Sequence, residues 1–551
     1  MNAGAISHRA ALLVLAVLGT GVFLAGLELM ITAVALPAII ADLGSWTDLR
    51  HASWIVNAYL LVYVATMPLA GRLADSWGAR RLFLAALVAF TAGSLLAGRA
   101  LSMDELIAGR VVQALGGGAL VPVATAAASH LFEGHARPRA LGVIGALTFL
   151  GMAAGPFLGA AIMDAVQPVP ALMRAGITVG PLFDALKPAW RYVFYVNVPI
   201  GLIGLALGWA ATSGWDTPRN PGRADLVGAF LFTLAVGALL LGVTLVGGAT
   251  QQAGAVDLLP ILLIAVGAVA GVAAVAWGLR RREPFLDPRL FTNRVFSAAA
   301  LVSLLTGYGF ATAIVGIAVF VDRVLYGGPD SQRIALGGLA AATALGALVS
   351  GWLVRLLSLR LVTLAGLAAS IGGLAWMSTW TAAVTMPVAA AAGGLFGLGF
   401  GLTVTPRSTA AVEAVGRARY GAASATVTVA RMLGMAVGLA VLTSYGSTAI
   451  TNFSNQIFGS SDAYKSIVPA VLADRQLHDP LVVNALEAWA SAKAAEVMVG
   501  LFAVAAVVTA VAVPPGLILG RRILHGTEIP FDEAEGAAGD DDRHDAEPAA
   551  I

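Results

Sequence analysis

Glu28 lies in the middle of an apolar run, LAGLELMITAVALP, and is the only carboxylate well inside any such run of the chain. Holding a charged carboxylate at mid-membrane depth costs about 2.5–3.5 kcal/mol or more. A carboxyl group in that setting can trade its charge for a proton, which is what a proton carrier needs. A permanently protonated or capped structural glutamate is the competing role. Arg110, in AGRVVQALGGGA, carries Gln113 and Gly117 on its own face by helical spacing. An arginine there needs a counter-charge or water, or else serves as a packing anchor on backbone carbonyls. Arg431, in SATVTVARMLGMAVG, shares a face with Ser424, Thr428 and Gly438. It would attract an anionic or carbonyl-bearing part of a cargo, act on Glu28 across a cavity, or hold structure. Thr32, Asn57, Tyr59 and Asn197 are further cavity polar groups, each equally suited to a structural role.

Two more constellations concern movement. Gly151, Gly155 and Gly159 recur every four residues, which lets another helix approach closely. Pro156 among them removes a backbone donor and bends the helix. Ordinary membrane-helix packing would use the same pattern. In GRLADSWGARR, Gly71, Asp75, Gly78, Arg80 and Arg81 form a candidate conformational latch. Asp75 precedes a new apolar run and can meet that helix's N-terminal dipole as well as an arginine.

The elements that position these residues follow from hydropathy. The chain has 551 residues, of which 58% are hydrophobic and 12% charged. Soluble domains carry roughly 25% charged residues, so lipid must cover much of this surface. Runs of about 20 apolar residues, the length that crosses roughly 30 Å of hydrocarbon, recur at about 10–40, 52–74, 82–100, 105–131, 139–163, 192–213, 224–248 and 257–279. They continue at 294–322, 332–356, 359–381, 386–412, 419–447 and 496–520. Fourteen spans are expected, all helical. The first run is too long for a signal-peptide core and reads as a retained helix.

Arginine alternates between successive loops. Arg72, Arg80 and Arg81, then Arg137 and Arg139, then Arg219 and Arg223 fall on one side. Arg280, Arg281, Arg282 and Arg289, then Arg355 and Arg360, Arg417 and Arg419, and Arg521 and Arg522 fall on the same side. The positive-inside bias makes that side, and both termini, cytoplasmic. The expected organisation is a bundle over 1–213, a linker with two extra spans over 214–282, and a second bundle over 283–520. Extracytoplasmic loops fall at 164–189 and 449–494, the latter suited to short amphipathic helices. The acidic tail 521–551 should be disordered. GRLADSWGAR echoes GWLVRLLSLR, with Gly351 and Arg360 standing where Gly71 and Arg80 do. Such internal duplication is common in transporters.

GRLADSWGARR resembles the loop signature of the Major Facilitator Superfamily, AGRVVQALGGGA its fourth-helix motif, and GMAAGPFLGAAI its antiporter motif. LELMITAVALP and WRYVFYVNVPIG resemble signatures of its fourteen-span drug:proton antiporter branch. WIVNAYLLVYVATMPLAGR, VFYVNVP and SATVTVARMLGMAVG resemble, within that branch, mycobacterial triacylglyceride exporters that work with a periplasmic lipoprotein. The resemblance implies two six-helix bundles that rock about a central site. It implies proton-driven export of drugs or lipids, Arg110 beside Glu28 in the coupling region, and a latch at 71–81. It departs from the family at Ser76 and Ala79, often basic there, which leaves the partner of Asp75 open. Glu28 stands where aspartate is usual.

Other function classes find little support. The net charge is +2, which argues against nucleic acid. There is no cysteine, and no two of the seven histidines share ligand spacing on one helix, so no metal or other cofactor is expected. No Gly-x4-Gly-Lys loop is present, so ATP hydrolysis by a P-loop is not expected, and the resemblance implies a proton gradient as the energy source. A membrane-embedded transferase would need clustered acids or histidines near an interface. A sensor or scaffold is a further alternative. A monomer in a bacterial plasma membrane, carrying a small hydrophobic or lipid substrate, is the expected form.

Overall fold

Backbone polar groups in hydrocarbon must be bonded within their own segment, so each apolar run closes on itself as a helix. The structure is a computed structural model that describes residues 8–43, 49–134, 136–212, 216–217, 225–248, 258–281, 284, 287–327, 329–415, 419–458, 463–472, 476 and 479–520. Helical side chains at some further positions, Asn57 and Pro156 among them, lie outside the described residues, as does the tail 521–551.

The first bundle holds α1 (His8–Leu43), α2 (Leu49–Trp77), α3 (Ala79–Arg99), α4 (Met103–Leu131) and α5 (Ala136–Ala165). Two short helices follow, α6 (Pro168–Arg174) and α7 (Pro181–Leu186), inside what the sequence suggested was a loop. Each begins with proline in its first turn, where the missing N–H costs nothing. The sixth span is broken at Val196 into α8 (Arg191–Tyr195) and α9 (Asn197–Ala211). Pro199 cannot donate to the carbonyl four residues back, which fits a break there. Next come α10 (Leu226–Gly248) and α11 (Leu258–Arg280). The second bundle holds α12 (Arg294–Arg323), α13 (Pro329–Leu356), α14 (Leu359–Met377), α15 (Met386–Glu413), α16 (Tyr420–Phe458) and α17 (Pro480–Ala510), then the short α18 (Val513–Ile518). Among the described residues, 13 helices are long and apolar enough to cross a bilayer. Helix α10 has 23 residues, with a shorter described apolar stretch, Val227–Val243.

The two bundles repeat one packing scheme. In the first, α1 packs on α5, α2 on α4, and α3 on α4 and α9. In the second, α12 packs on α16, α13 on α15, and α14 on α15 and α17. The bundles meet where the second helix of each packs on the fifth of the other: α2 on α16, and α13 on α5. The sequence echo sits at these crossings. A Cβ on Gly71 would lie 2.6 Å from that of Ala425, and one on Gly351 would lie 2.6 Å from the Pro138 carbonyl oxygen. Both glycines therefore permit inter-bundle contact on one face, the face that carries the turn after α2 and most of the loop arginines. Helices α10 and α11 pack on each other, with α10 also against α16 and α2.

The segment 449–494 departs from expectation. Helix α16 runs on to Phe458, 39 residues in all, or about 58 Å, nearly twice the hydrocarbon thickness of about 30 Å. Neither glycine nor proline interrupts 447–458, so nothing stops the helix at the membrane. After the turns Ala463–Ser466 and Ala470–Leu472, α17 starts at Pro480, with Asp479 accepting from the Leu481 amide at 2.9 Å. The residues expected to form short amphipathic helices after Pro480 are instead the first turns of a 31-residue helix.

Candidate functional site

Glu28 is fully buried on α1. One carboxylate oxygen accepts hydrogen bonds from the Arg110 guanidinium, with which it forms an ion pair, and from Thr32 Oγ1 at 2.8 Å. The other accepts from Asn197 Nδ2 at 2.7 Å. Thr32 reaches it because residues four apart stand one above another on a helix. Asn197 reaches it because α9 starts there. Arg110 also donates to Gln113 Oε1 at 2.7 Å and to the Ile55 carbonyl at 3.2 Å, and lies 3.9 Å over the Tyr59 ring. Gln113 in turn donates to Ser94 Oγ at 2.7 Å. Three helices, α1, α4 and α9, thus converge on one carboxylate. Removing either member of a buried ion pair leaves an uncompensated charge, so the pair is held together unless a proton neutralises Glu28.

The glycine stripe on α5 explains how α1 is held. A Cβ on Gly155 would lie 2.8 Å from that of Met30 and 3.0 Å from the Ile31 amide nitrogen, and one on Gly159 would lie 3.2 Å from the Ile31 carbonyl oxygen. Gly151 faces Phe23 and Leu27 in the same way. The stripe seats α5 against the turns of α1 that carry Glu28 and Thr32. The side chain of Pro156 lies outside the described residues, as does that of Asn57.

Arg431 is placed apart from Glu28. It is 8% exposed on α16, lies 5.5 Å over the Phe149 ring, and its Nε has no partner. A second arginine, Arg407 on α15, is 1% exposed, donates to Thr306 Oγ1 at 2.6 Å and lies 5.1 Å over Phe400. Sequence reading passed over Arg407 because it falls near the end of its run, where an arginine reads as a loop flank. The signal available was Pro406 before it and six further residues of helix after it, through Glu413. Tyr63, on α2, stacks on Tyr59 with centroids 5.6 Å apart and lies within electrostatic reach of Arg431. Tyr59 and Tyr63 therefore stand between the Glu28 pair and Arg431.

The latch divides into two contacts. Asp75 accepts from the amides of Gly421 at 2.9 Å and Ala422 at 3.1 Å, the first turn of α16. The helix dipole it meets is thus that of α16 in the other bundle rather than that of α3. Gly78, with φ of 92°, and Arg80 belong to a second contact. Asp216 accepts from the Arg80 amide at 3.0 Å, and Thr217 Oγ1 from the Ala79 amide at 2.8 Å. Arg80 Nε donates to Thr212 Oγ1 at 2.9 Å. These partners follow α9, and sequence reading did not single them out. Arg81 is exposed. On the same face Arg137 comes within 4.0 Å of Glu413 and lies 5.2 Å from the centroid of Tyr420, adding a further bond between bundles.

Residues 18–439 match the model of the Major Facilitator Superfamily. A triacylglyceride transporter of Mycolicibacterium hassiacum is 33% identical over 439 residues, 78% of each chain. A probable triacylglyceride transporter of Mycobacterium leprae is 30% identical over 529 residues, 92% of this chain and 96% of that one. Among solved structures, the human organic anion transporter MFSD10 (TETRAN) superposes with a TM-score of 0.57 at 15% identity, over 91% of this chain and 99% of the other. The proton:xylose symporter XylE does so with a TM-score of 0.55 at 12% identity, over 91% and 95%. These two likenesses concern the fold.

Proposed function

Because the chain belongs to the Major Facilitator Superfamily, we propose that it is a proton-coupled exporter of hydrophobic compounds, lipids foremost, working by alternating access across fourteen spans with both termini cytoplasmic. The observation that carries this reading is the Glu28–Arg110 pair, a buried carboxylate whose charge is matched by a guanidinium from another helix. A proton arriving at Glu28 frees Arg110, weakens the bonds that join α1, α4 and α9, and makes closure of that region depend on protonation. Proton movement down roughly 150 mV yields about 3.5 kcal/mol, enough for a cargo gradient of between two and three decades.

Lipid is favoured over a general drug range by the relatives, which are named triacylglyceride transporters and align over most of their length. The Asp75 contact with α16 and the Arg137–Glu413 contact hold the cytoplasmic face shut in the conformation described. The long ends of α16 and α17 project beyond the opposite face, where a periplasmic lipoprotein would meet them. Multidrug efflux from a bacterial plasma membrane is the second reading.

Purified chain in liposomes, with an imposed pH gradient, decides between these. Transfer of a fluorescent triacylglycerol to external acceptor, driven by the gradient and collapsed by a protonophore, is the expected result. Gradient-driven movement of cationic dyes without triacylglycerol would favour the second reading. No gradient-dependent movement of either would overturn proton coupling.

A further inference from the structure

Arg407 and Arg431 are two buried cations without counter-charge. Among the described residues no carboxylate lies within ion-pair distance of either. Buried Arg110 and Arg191, by contrast, each reach one. Thr306, the partner of Arg407, neighbours Gly307, where an added Cβ would lie 3.1 Å from Arg431 Cα, so the two arginines share one region, and arginine does not shed its proton to escape repulsion. The rings of Phe149 and Phe400 offset part of the charge. Thr306 takes one donor of Arg407. Arg431 Nε, Tyr63 Oη and Ser424 Oγ are all buried without a partner. Ser424 stands two turns before Arg431 on the same face of α16. Each of these three groups can donate a hydrogen bond.

Apolar surface lies directly beside this polar group. Phe149 and Phe400, the rings under the two arginines, pack edge to face with centroids 5.4 Å apart, and Phe310 stacks on Phe400 at 4.3 Å. Phe149 comes from the first bundle and the other two from the second, so separating the bundles would uncover this cluster alongside both guanidiniums.

We propose that Arg431 and Arg407, with Tyr63, hold the oxyanion headgroup of an acyl-chain amphiphile, a carboxylate or a phosphate, while Phe149, Phe310 and Phe400 receive its chain. This rests on the transport reading above and departs from it on the cargo: the site prefers a charged lipid to a neutral one such as a triacylglycerol, which would enter more weakly. The oxyanion supplies the missing negative charge and accepts the orphaned hydrogen bonds. Its position faces Arg110 through Tyr63 and Tyr59, so an anion bound there offers Arg110 an electrostatic alternative to Glu28.

The test is equilibrium binding to the full chain in phosphatidylcholine nanodiscs, with empty discs subtracted, using palmitate, palmitoyl lysophosphatidate and methyl palmitate. The anions are expected to bind at least tenfold more tightly than the ester; preference for one anion over the other identifies carboxylate or phosphate. Arg431→Gln and Arg407→Gln should each reduce that preference about tenfold while leaving the ester unchanged, and Arg431→Lys should keep part of it. Equal affinity of the unaltered chain for anion and ester would overturn the inference without recourse to any variant. So would a preference that both glutamine variants leave intact. Binding is read without flux, so failure of gradient-driven transport with an intact anion preference would count against the transport reading alone.

Discussion

The two bundles repeat one helical packing scheme but treat buried charge differently. In the first, Arg110, Thr32 and Asn197 all bond Glu28, and Gln113 links Arg110 to Ser94, with Asn197 Oδ1 left without a partner. In the second, Arg407 and Arg431 have aromatic rings and one hydroxyl, and no carboxylate among the described residues. A buried carboxylate paired with a guanidinium is balanced in charge without any ligand. An open pair of cations is completed only by something that arrives. The difference teaches that internal duplication fixes where helices cross, while the chemistry of each half is set by a few side chains that the duplication does not copy.

The comparison can be broken at several points. Glu28→Gln keeps the size but removes the charge and turns one accepting oxygen into a donating amide nitrogen. Gradient-driven flux in liposomes should fall to the protein-free background, with folding intact by size-exclusion profile and thermal unfolding; undiminished coupled flux would remove Glu28 from the mechanism. Arg110→Ala leaves the carboxylate buried without its cation and should cost about 3–5 kcal/mol, read as a large fall in thermal midpoint. Adding Glu28→Gln to it should recover a good part of that loss, whereas Arg431→Ala alone should cost far less because no carboxylate is stranded. Failure of that recovery would mean the first bundle is not a balanced pair.

A smaller effect is expected at the face shared by both bundles. Asp75→Asn removes a charge from the N-terminus of α16, an interaction worth about 0.3–1 kcal/mol and up to about 2. The chain lacks cysteine, so a single cysteine introduced at Ala425 reports access cleanly. Its labelling from the arginine-rich side should rise about two- to fivefold in the Asp75→Asn background, and an unchanged rate would deny Asp75 a latching role. Arg81→Gln, by contrast, touches an exposed side chain and should move stability by no more than about 0.5 kcal/mol.

Much of the architecture was legible because it depends on local quantities. Run length and low charge placed the helices, since a segment in hydrocarbon must satisfy its own backbone. Glu28 stood out because a lone carboxylate in such a run is costly, and Gln113 was found with Arg110 because they are one turn apart. The echo of Gly71 in Gly351 was visible as spacing, and the structure puts both at inter-bundle crossings. What spacing does not contain is which helix a residue meets. Asp75 accepts from amides 346 and 347 residues away, and Arg80 donates to groups after α9, both set by helix packing rather than by sequence distance.

By itself, then, the sequence determined a helical membrane protein of repeated plan with a lone carboxylate deep in its first apolar run, because hydrophobic length and the cost of buried charge act along a single helix. Tertiary structure alone decided that Arg110, Thr32 and Asn197 share that acid, that Asp75 binds α16, and that Arg407 and Arg431 lie together without a carboxylate. Such pairings depend on which helix faces crowd together in space, and crowding is enforced by packing between segments hundreds of residues apart.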